Sequence, residues 1–171
     1  MSEQSIYDID HREFIVMDSP IGKLRITGND EAIFDITFVT DDRQSSKIAP
    51  KEVAKCAKQL REYFANDREQ FELELRPVGS DFQLSVWKVL LDIPYGQTTT
   101  YSKQASKIGD LKAIRAVGTA NGKNPIPIVI PCHRVIGSDG SMTGYAGGVD
   151  KKEWLLRHEG VILGEQMDMF Q

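Results

Sequence analysis

Two cysteines in 171 residues are too few for a disulfide framework or a thiolate metal site, so an apolar core has to hold the fold. The three histidines, His11, His133 and His158, are widely scattered, and no cysteine lies close to His11 or His158, so they do not make a metal site. Long apolar runs are missing as well. The longest, residues 125–131, is interrupted by prolines, and the N-terminus has no basic region followed by an apolar stretch. These absences argue against secretion and membrane spanning and point to a reducing cytoplasm. Repeats and low-complexity segments are also lacking. With 40% apolar and 27% charged residues, the chain fits one globular unit or two small ones, which excludes fibrous, collagen-like and wholly disordered classes.

The formal charge of −4 argues against a generic polyanion binder, but it is unevenly distributed. Residues 1–80 carry −5 and residues 81–160 carry +3. Lys103, Lys107, Lys112, Arg115, Lys123 and Arg134 face a single acid, Asp110, between residues 101 and 134. A basic patch therefore belongs to the second half.

Residues 14–17, 23–27 and 32–39 are rich in β-branched and aromatic types and are separated by Pro-Ile-Gly and Gly-Asn-Asp turn signals, the pattern of an antiparallel meander. Pro50 opens a helix in which Val53, Cys56, Leu60 and Phe64 recur at helical spacing, which makes Cys56 a core residue. Phe71, Leu73 and Leu75 alternate like a half-buried strand, and residues 76–79 read as a linker.

Ser80 and Gln83 have capping-box spacing, ahead of a helix with Phe82, Val86, Val89, Leu90 and Ile93 inward and Pro94 as its stop. Thr100 can cap a short helix from Tyr101 to Ile108, Gly109 breaks it, and Asp110 can cap another over residues 111 to about 120. Two short helices around a glycine-containing turn outline a helix-turn-helix. Any αα corner has that spacing too; the basic side chains on and around the second helix favour nucleic acid. Ala113, Ala116, Gly118 and Ala120 leave little bulk around Arg115, so another helix or a DNA groove can approach closely.

Three prolines in residues 125–131 forbid a helix and a central strand, so the chain is expected to run extended and stiff up to Cys132. His133 and Arg134 follow directly, and cationic or hydrogen-bonding partners are what lower a thiol's pKa. Adjacent side chains on an extended chain point to opposite faces, so proton transfer from Cys132 to His133 needs a turn or a bridging water, and the water route is the expected one. Either Glu153 or Glu159 can orient the imidazole from a late helix with Trp154 and Leu155 inward. Gly160 ends that helix and leaves Glu159 opposed to its dipole, which calls for compensation from elsewhere. Residues 138–149, with four glycines, make a flexible loop able to fold over a flat ligand with Tyr145 as its wall. His11, beside an edge strand, and His158, in the last helix, read as solvated or structural.

P-C-H-R-V at residues 131–135, the preceding N-P-I-P, the following T-G-Y-A-G-G and the terminal K-E-W-L-L-R-H-E-G together resemble the O6-alkylguanine-DNA alkyltransferase family, the methylated-DNA–protein-cysteine methyltransferases. The resemblance implies an α+β protein. Residues 1–79 would form an RNase H-like α/β domain with a small antiparallel sheet, and residues 80–171 a winged-helix-like helical domain that contains the helix-turn-helix. It further implies a monomeric DNA-repair protein that flips O6-alkylguanine, and O4-alkylthymine, out of duplex DNA and transfers the alkyl group irreversibly to Cys132.

By matching position, Cys132 is the alkyl acceptor, His133 its base through a water, Glu159 the carboxylate that holds His133, and Asn124 the brace of the active-site turn. Tyr101 protonates N3 of the leaving guanine and rotates the target phosphate, and Arg115 fills the vacated stack. Ser102 and Ser138 contact the DNA backbone, while Val135, Tyr145 and Ala146 line the base pocket. Ala146 stands where a serine is often found, so only its backbone amide is left to serve the base. No cofactor and no zinc are expected, since the first half has one cysteine and one histidine. Two other readings remain open: a non-catalytic sensor of alkylated DNA, which Cys132 disfavours because such relatives replace the acceptor, and a cysteine hydrolase built on Cys132, His133 and Glu159.

Overall fold

The computed structural model describes residues 13–40 and 43–161. His11 and the tail after Leu163 lie outside the described residues. The chain divides into two compact units between Pro77 and Val78, and among the described residues no helix is long and apolar enough to cross a membrane.

The first unit is an antiparallel meander of β1 (Glu13–Met17), β2 (Lys23–Gly28) and β3 (Ile33–Val39), in that spatial order. Alternation puts Leu24 and Ile26 of the central strand into the core together with Ile33 and Ile36, and helix α1 (Lys51–Phe64) supplies Val53, Cys56 and Leu60. Tyr63, not the expected Phe64, completes the buried stripe of α1. Pro50 cannot cap this helix with a side chain. Asp30 Oδ1 does so from a distant turn, accepting from the Lys51 amide at 2.7 Å.

Residues 71–75 alternate in burial as expected but form no strand; a single bridge joins Leu75 to Ile33. The reason is competition for their backbone groups. Gln59 of α1 exchanges two hydrogen bonds with the main chain of Glu72, and Glu52 accepts from the Glu74 amide at 2.9 Å, so helix side chains take bonds that a ladder would have used.

In the second unit, α2 (Asp81–Leu90) begins with a complete capping box: Ser80 accepts from the Gln83 amide and Gln83 accepts from the Ser80 amide. The helix stops at Leu90, short of Pro94, and continues as turns with three-residue closures through Ile93. Its inward side chains are Val86, Trp87 and Leu90, whereas Phe82 is exposed and Val89 half-buried. Trp87 is anchored by its indole N–H, which donates to the Ala120 carbonyl at 2.8 Å.

Strand β4 (Thr99–Thr100) pairs in parallel with β5 (Val135–Ile136) and brings the chain after Cys132 beside the start of α3 (Tyr101–Ile108). Thr100 caps α3 by accepting from the Lys103 amide, and Gly109, at φ 92°, turns the chain out of it in the left-handed region. Asp110 caps the next segment as expected, but one turn of 3-10 helix, Leu111–Ala113, precedes α4 (Ile114–Gly122). The last helix, α5 (Val149–His158), buries Lys152, Leu155 and Leu156; Trp154 is only half-buried and stacks on His158 with ring centroids 4.8 Å apart.

Candidate active site

Residues 124–131 do not run extended. Ile126 accepts from the Ile130 amide at 2.9 Å, Pro127 and Ile130 form a bridge, and Ile128 sits at φ 74°, where a β-branched residue is a rare occupant. Prolines exclude regular structure there but permit this tight, buried turn. Asn124 holds it from within, accepting from the Ile126 amide at 3.0 Å and donating through Nδ2 to the Ile130 carbonyl at 2.8 Å.

The same Asn124 amide donates to Cys132 Sγ at 3.2 Å. Cys132 opens a one-turn 3-10 helix, Cys132–Arg134, so the opposite-face geometry of an extended chain does not apply to Cys132 and His133. Burial is the largest influence on the Cys132 thiol and pushes its pKa up from the ordinary 9.0; the Asn124 hydrogen bond and the Lys152 charge act against it. The expectation that adjacent cations lower this thiol is thus overturned. Cys132 is 5% exposed, and Arg134 is already committed elsewhere.

His133 is fully buried, with Nε2 2.7 Å from Glu159 Oε1. An ionised carboxylate can only accept, so Nε2 carries the proton and Nδ1 is left as a bare acceptor. Nδ1 has no hydrogen-bond partner among the described residues. Burial lowers the His133 pKa below 6.5 despite the Glu159 charge, so the resting imidazole is neutral and able to take a proton.

Glu159 sits at the C-cap of α5, where the helix dipole disfavours a carboxylate. Burial also opposes its charge, yet His133 and Arg134 hold its carboxyl well below the usual range. Arg134 makes a two-pronged contact with Glu159, Nε to Oε2 at 2.9 Å and Nη2 to Oε1 at 3.0 Å. Its remaining Nη1 donates to the Ile93 carbonyl at 2.6 Å, and the guanidinium lies over the Tyr95 ring. Arg134 is therefore removed from the basic patch and becomes part of the site. Glu153, the other candidate carboxylate, pairs with Arg157 on the helix surface.

Lys152 is a site residue with no signal in the sequence. It is 1% exposed, makes no ion pair among the described residues, and donates to the Thr143 carbonyl at 3.0 Å and to Tyr101 Oη at 3.3 Å. Its ammonium also lies over the Tyr101 ring, 5.6 Å from the centroid. Tyr101 Oη in turn donates to the Thr143 carbonyl at 2.9 Å. The glycine-rich loop is thereby tied at Thr143, and Tyr145 beyond it is buried; burial and the charges of Cys132 and Glu159 raise its phenol well above 10.0.

Val135 is buried at the start of β5, and Ala146 is exposed in the loop. Arg115 is exposed on α4, Ser138 is exposed, and Ser102 lies half-buried with its hydroxyl 3.1 Å from that of Thr100. The arrangement gives a buried thiol hydrogen-bonded by an amide, a neutral imidazole backed by a carboxylate and a guanidinium, and a tyrosine hydroxyl backed by an ammonium. Such a set can generate a nucleophilic sulfur and protonate a leaving group.

Comparison with known proteins places this site in context. Residues 81–161 match the family described as 6-O-methylguanine DNA methyltransferase, DNA binding domain, and residues 14–77 match its ribonuclease-like domain. The methylated-DNA–protein-cysteine methyltransferase of Methanosarcina barkeri is 48% identical over 149 residues, covering 84% of this chain and 94% of the relative. That of Mycolicibacterium paratuberculosis is 45% identical over 151 residues, covering 86% and 92%. Among solved structures, the Mycobacterium tuberculosis O6-methylguanine methyltransferase superposes with a TM-score of 0.78 at 38% identity, covering 94% of this chain and 99% of that one. The M. tuberculosis OGT in complex with DNA gives the same TM-score at 42% identity, covering 86% and 92%.

Proposed function

This chain belongs to the methylated-DNA–protein-cysteine methyltransferase family, and from that premise we propose that it repairs DNA by moving the alkyl group of O6-alkylguanine onto its own Cys132. The observation that carries the assignment is the Asn124 Nδ2 to Cys132 Sγ contact at 3.2 Å, beside the buried His133–Glu159 pair at 2.7 Å.

The target lies inside the duplex and has to be extruded, which costs less for a damaged pair than for a sound one. Arg115, exposed on α4, fills the vacated stack, Tyr101 turns the phosphate, and Ser102 and Ser138 hold the backbone. The basic side chains around α4 supply attraction that does not depend on sequence. Val135, Tyr145 and Ala146 form the walls of the base pocket.

Burial keeps the resting thiol protonated. His133 Nδ1 takes its proton, directly or through one water, and Glu159 holds the imidazolium so formed. Sγ then attacks the alkyl carbon: an S–C bond forms, the C–O6 bond breaks, and the electron pair passes into the purine. Tyr101 gives its proton to N3, exchanging the Thr143 carbonyl for the base, and the Lys152 ammonium stabilises the phenolate left behind. Substrate binding has to expose the sulfur only to the base, so solvent competes little. A thioether offers water no leaving group, so the protein acts once.

O4-alkylthymine is the second substrate in this reading. The protein works as a cytoplasmic monomer without a cofactor, with residues 80–171 carrying DNA binding and transfer and residues 1–79 a ribonuclease-like scaffold. Titrating a fixed amount of protein with excess O6-methylguanine duplex tests the reaction. Repair is expected to stop at one lesion per molecule and to vanish in Cys132→Ser; continued turnover contradicts it.

A further inference from the structure

Gln104 and Asn121 form a reciprocal amide pair between α3 and α4. Gln104 Nε2 donates to Asn121 Oδ1 at 2.9 Å, and Asn121 Nδ2 donates to Gln104 Oε1 at 2.7 Å. Both side chains are buried, and Gln104 Nε2 also reaches the Val86 carbonyl of α2 at 3.5 Å. Two apolar residues of similar shape could fill the same space, since replacing both partners of a buried hydrogen bond is close to neutral for stability. What an apolar pair lacks is direction. A pair in which each amide both gives and receives fixes one register and one separation, and a slide of either helix unmakes both bonds.

The register matters because of what stands one turn before each partner. Tyr101 precedes Gln104 on α3, and Gly118 precedes Asn121 on α4. A Cβ built on Gly118 would touch the Tyr101 ring at 3.8 Å, so the ring lies along the α4 backbone. Arg115 is one further turn back on α4. Past Asn121, its carbonyl accepts from the amide of Asn124, the residue that holds Cys132 Sγ.

We infer that the Gln104–Asn121 pair is a positioning device that keeps Arg115 and Tyr101 at the spacing needed to act on one nucleotide together, and so couples base extrusion to alkyl transfer. The inference rests on the repair reading above. A free base does not need Arg115, and Tyr101 Oη keeps its own anchors, Thr143 and Lys152, when the pair is removed. The pair is therefore needed for duplex substrates and not for free ones.

The test compares single-turnover transfer from an O6-methylguanine duplex with transfer from free O6-benzylguanine base. In Gln104→Leu/Asn121→Leu the duplex rate is expected to fall about tenfold or more, with the free-base rate and melting temperature near wild type. Asn121→Ala alone carries the same expectation for the two rates should the leucine pair not fold, with a lower melting temperature because the buried Gln104 amide loses its partner. The exchanged pair Gln104→Asn/Asn121→Gln, which keeps the reciprocity and the summed length, should restore the duplex rate. An unchanged duplex rate, an equal fall in both rates, or failure of the exchanged pair to recover overturns the inference. If wild-type protein transfers from neither substrate, the repair reading fails instead, so the two failures are distinct.

Discussion

His133 presents Nε2 to Glu159 Oε1 at 2.7 Å and leaves Nδ1 without a hydrogen-bond partner among the described residues. The proton on Nε2 is therefore fixed from behind, and the free nitrogen is the one that can act as a base. Glu159→Gln keeps the shape but removes the charge that stabilises an imidazolium. Duplex repair should slow about a hundredfold, within the usual range for loss of acid–base assistance. The variant also leaves Arg134 buried without its carboxylate, so chemical denaturation should show a loss of about 3–5 kcal/mol. Single-turnover rates and urea melts on the same preparation check both.

Acid should weaken the fold through the same pair. Burial lowers the pKa of His133 from 6.5, and that of Glu159 is lowered from 4.5 because His133 and Arg134 outweigh its burial. For each group the unfolded chain binds protons more readily than the folded one, so stability rises with pH between the lowered and the ordinary value. Both contributions are complete above about pH 6.5. The urea midpoint is expected to fall on acidification, first through the histidine range and then through the carboxylate range. In Glu159→Gln the second step should be smaller.

Lys152→Met separates stability from chemistry. A buried ammonium without a carboxylate is costly to desolvate, and methionine fills similar space, so melting temperature should hold or rise. The Tyr101 hydroxyl loses one of its two anchors, keeping only the Thr143 carbonyl, and the Cys132 thiol loses a charge that lowers its pKa. Methyl transfer should slow about tenfold or more. Rate and thermal melt moving in opposite directions is the signature.

Much of the second unit's local structure was legible because its signals lie within one turn of their targets. Ser80 with Gln83, Thr100 with Lys103 and Asp110 with Lys112 are caps that a reader finds by spacing alone. Cys132 and His133 were legible as a candidate site for the same reason, being adjacent in sequence, whereas Asn124 entered only through the family resemblance. Lys152 and Tyr101 are 51 residues apart, Trp87 and Ala120 33, and Arg134 and Glu159 25. Periodicity does not report such contacts. A lysine such as Lys152 or an arginine such as Arg134 is read as solvated until its distant partner is known. Residues 124–131 show a different limit: prolines say what the backbone cannot be, not which turn it makes.

The two cysteines should differ sharply in reactivity. Burial, with help from the Glu52 charge, pushes the Cys56 thiol up to about 12. Cys132 is raised too, from 9.0, but Asn124 and Lys152 moderate the rise. Iodoacetamide is expected to modify Cys132 slowly at neutral pH, with a rate still climbing above about pH 9, and to spare Cys56 in the folded protein. A rate that levels off near neutrality would show a thiolate already present at rest. Peptide mapping across a pH series reads both results.

The most direct measurement is the intact mass of the protein after exposure to a duplex that contains one O6-methylguanine, followed by mapping of the modified peptide. The expected result is a gain of a single methyl group, located on Cys132, with unmodified guanine left in the DNA. An unchanged mass after full lesion binding, or a methyl group on any other residue, contradicts the account.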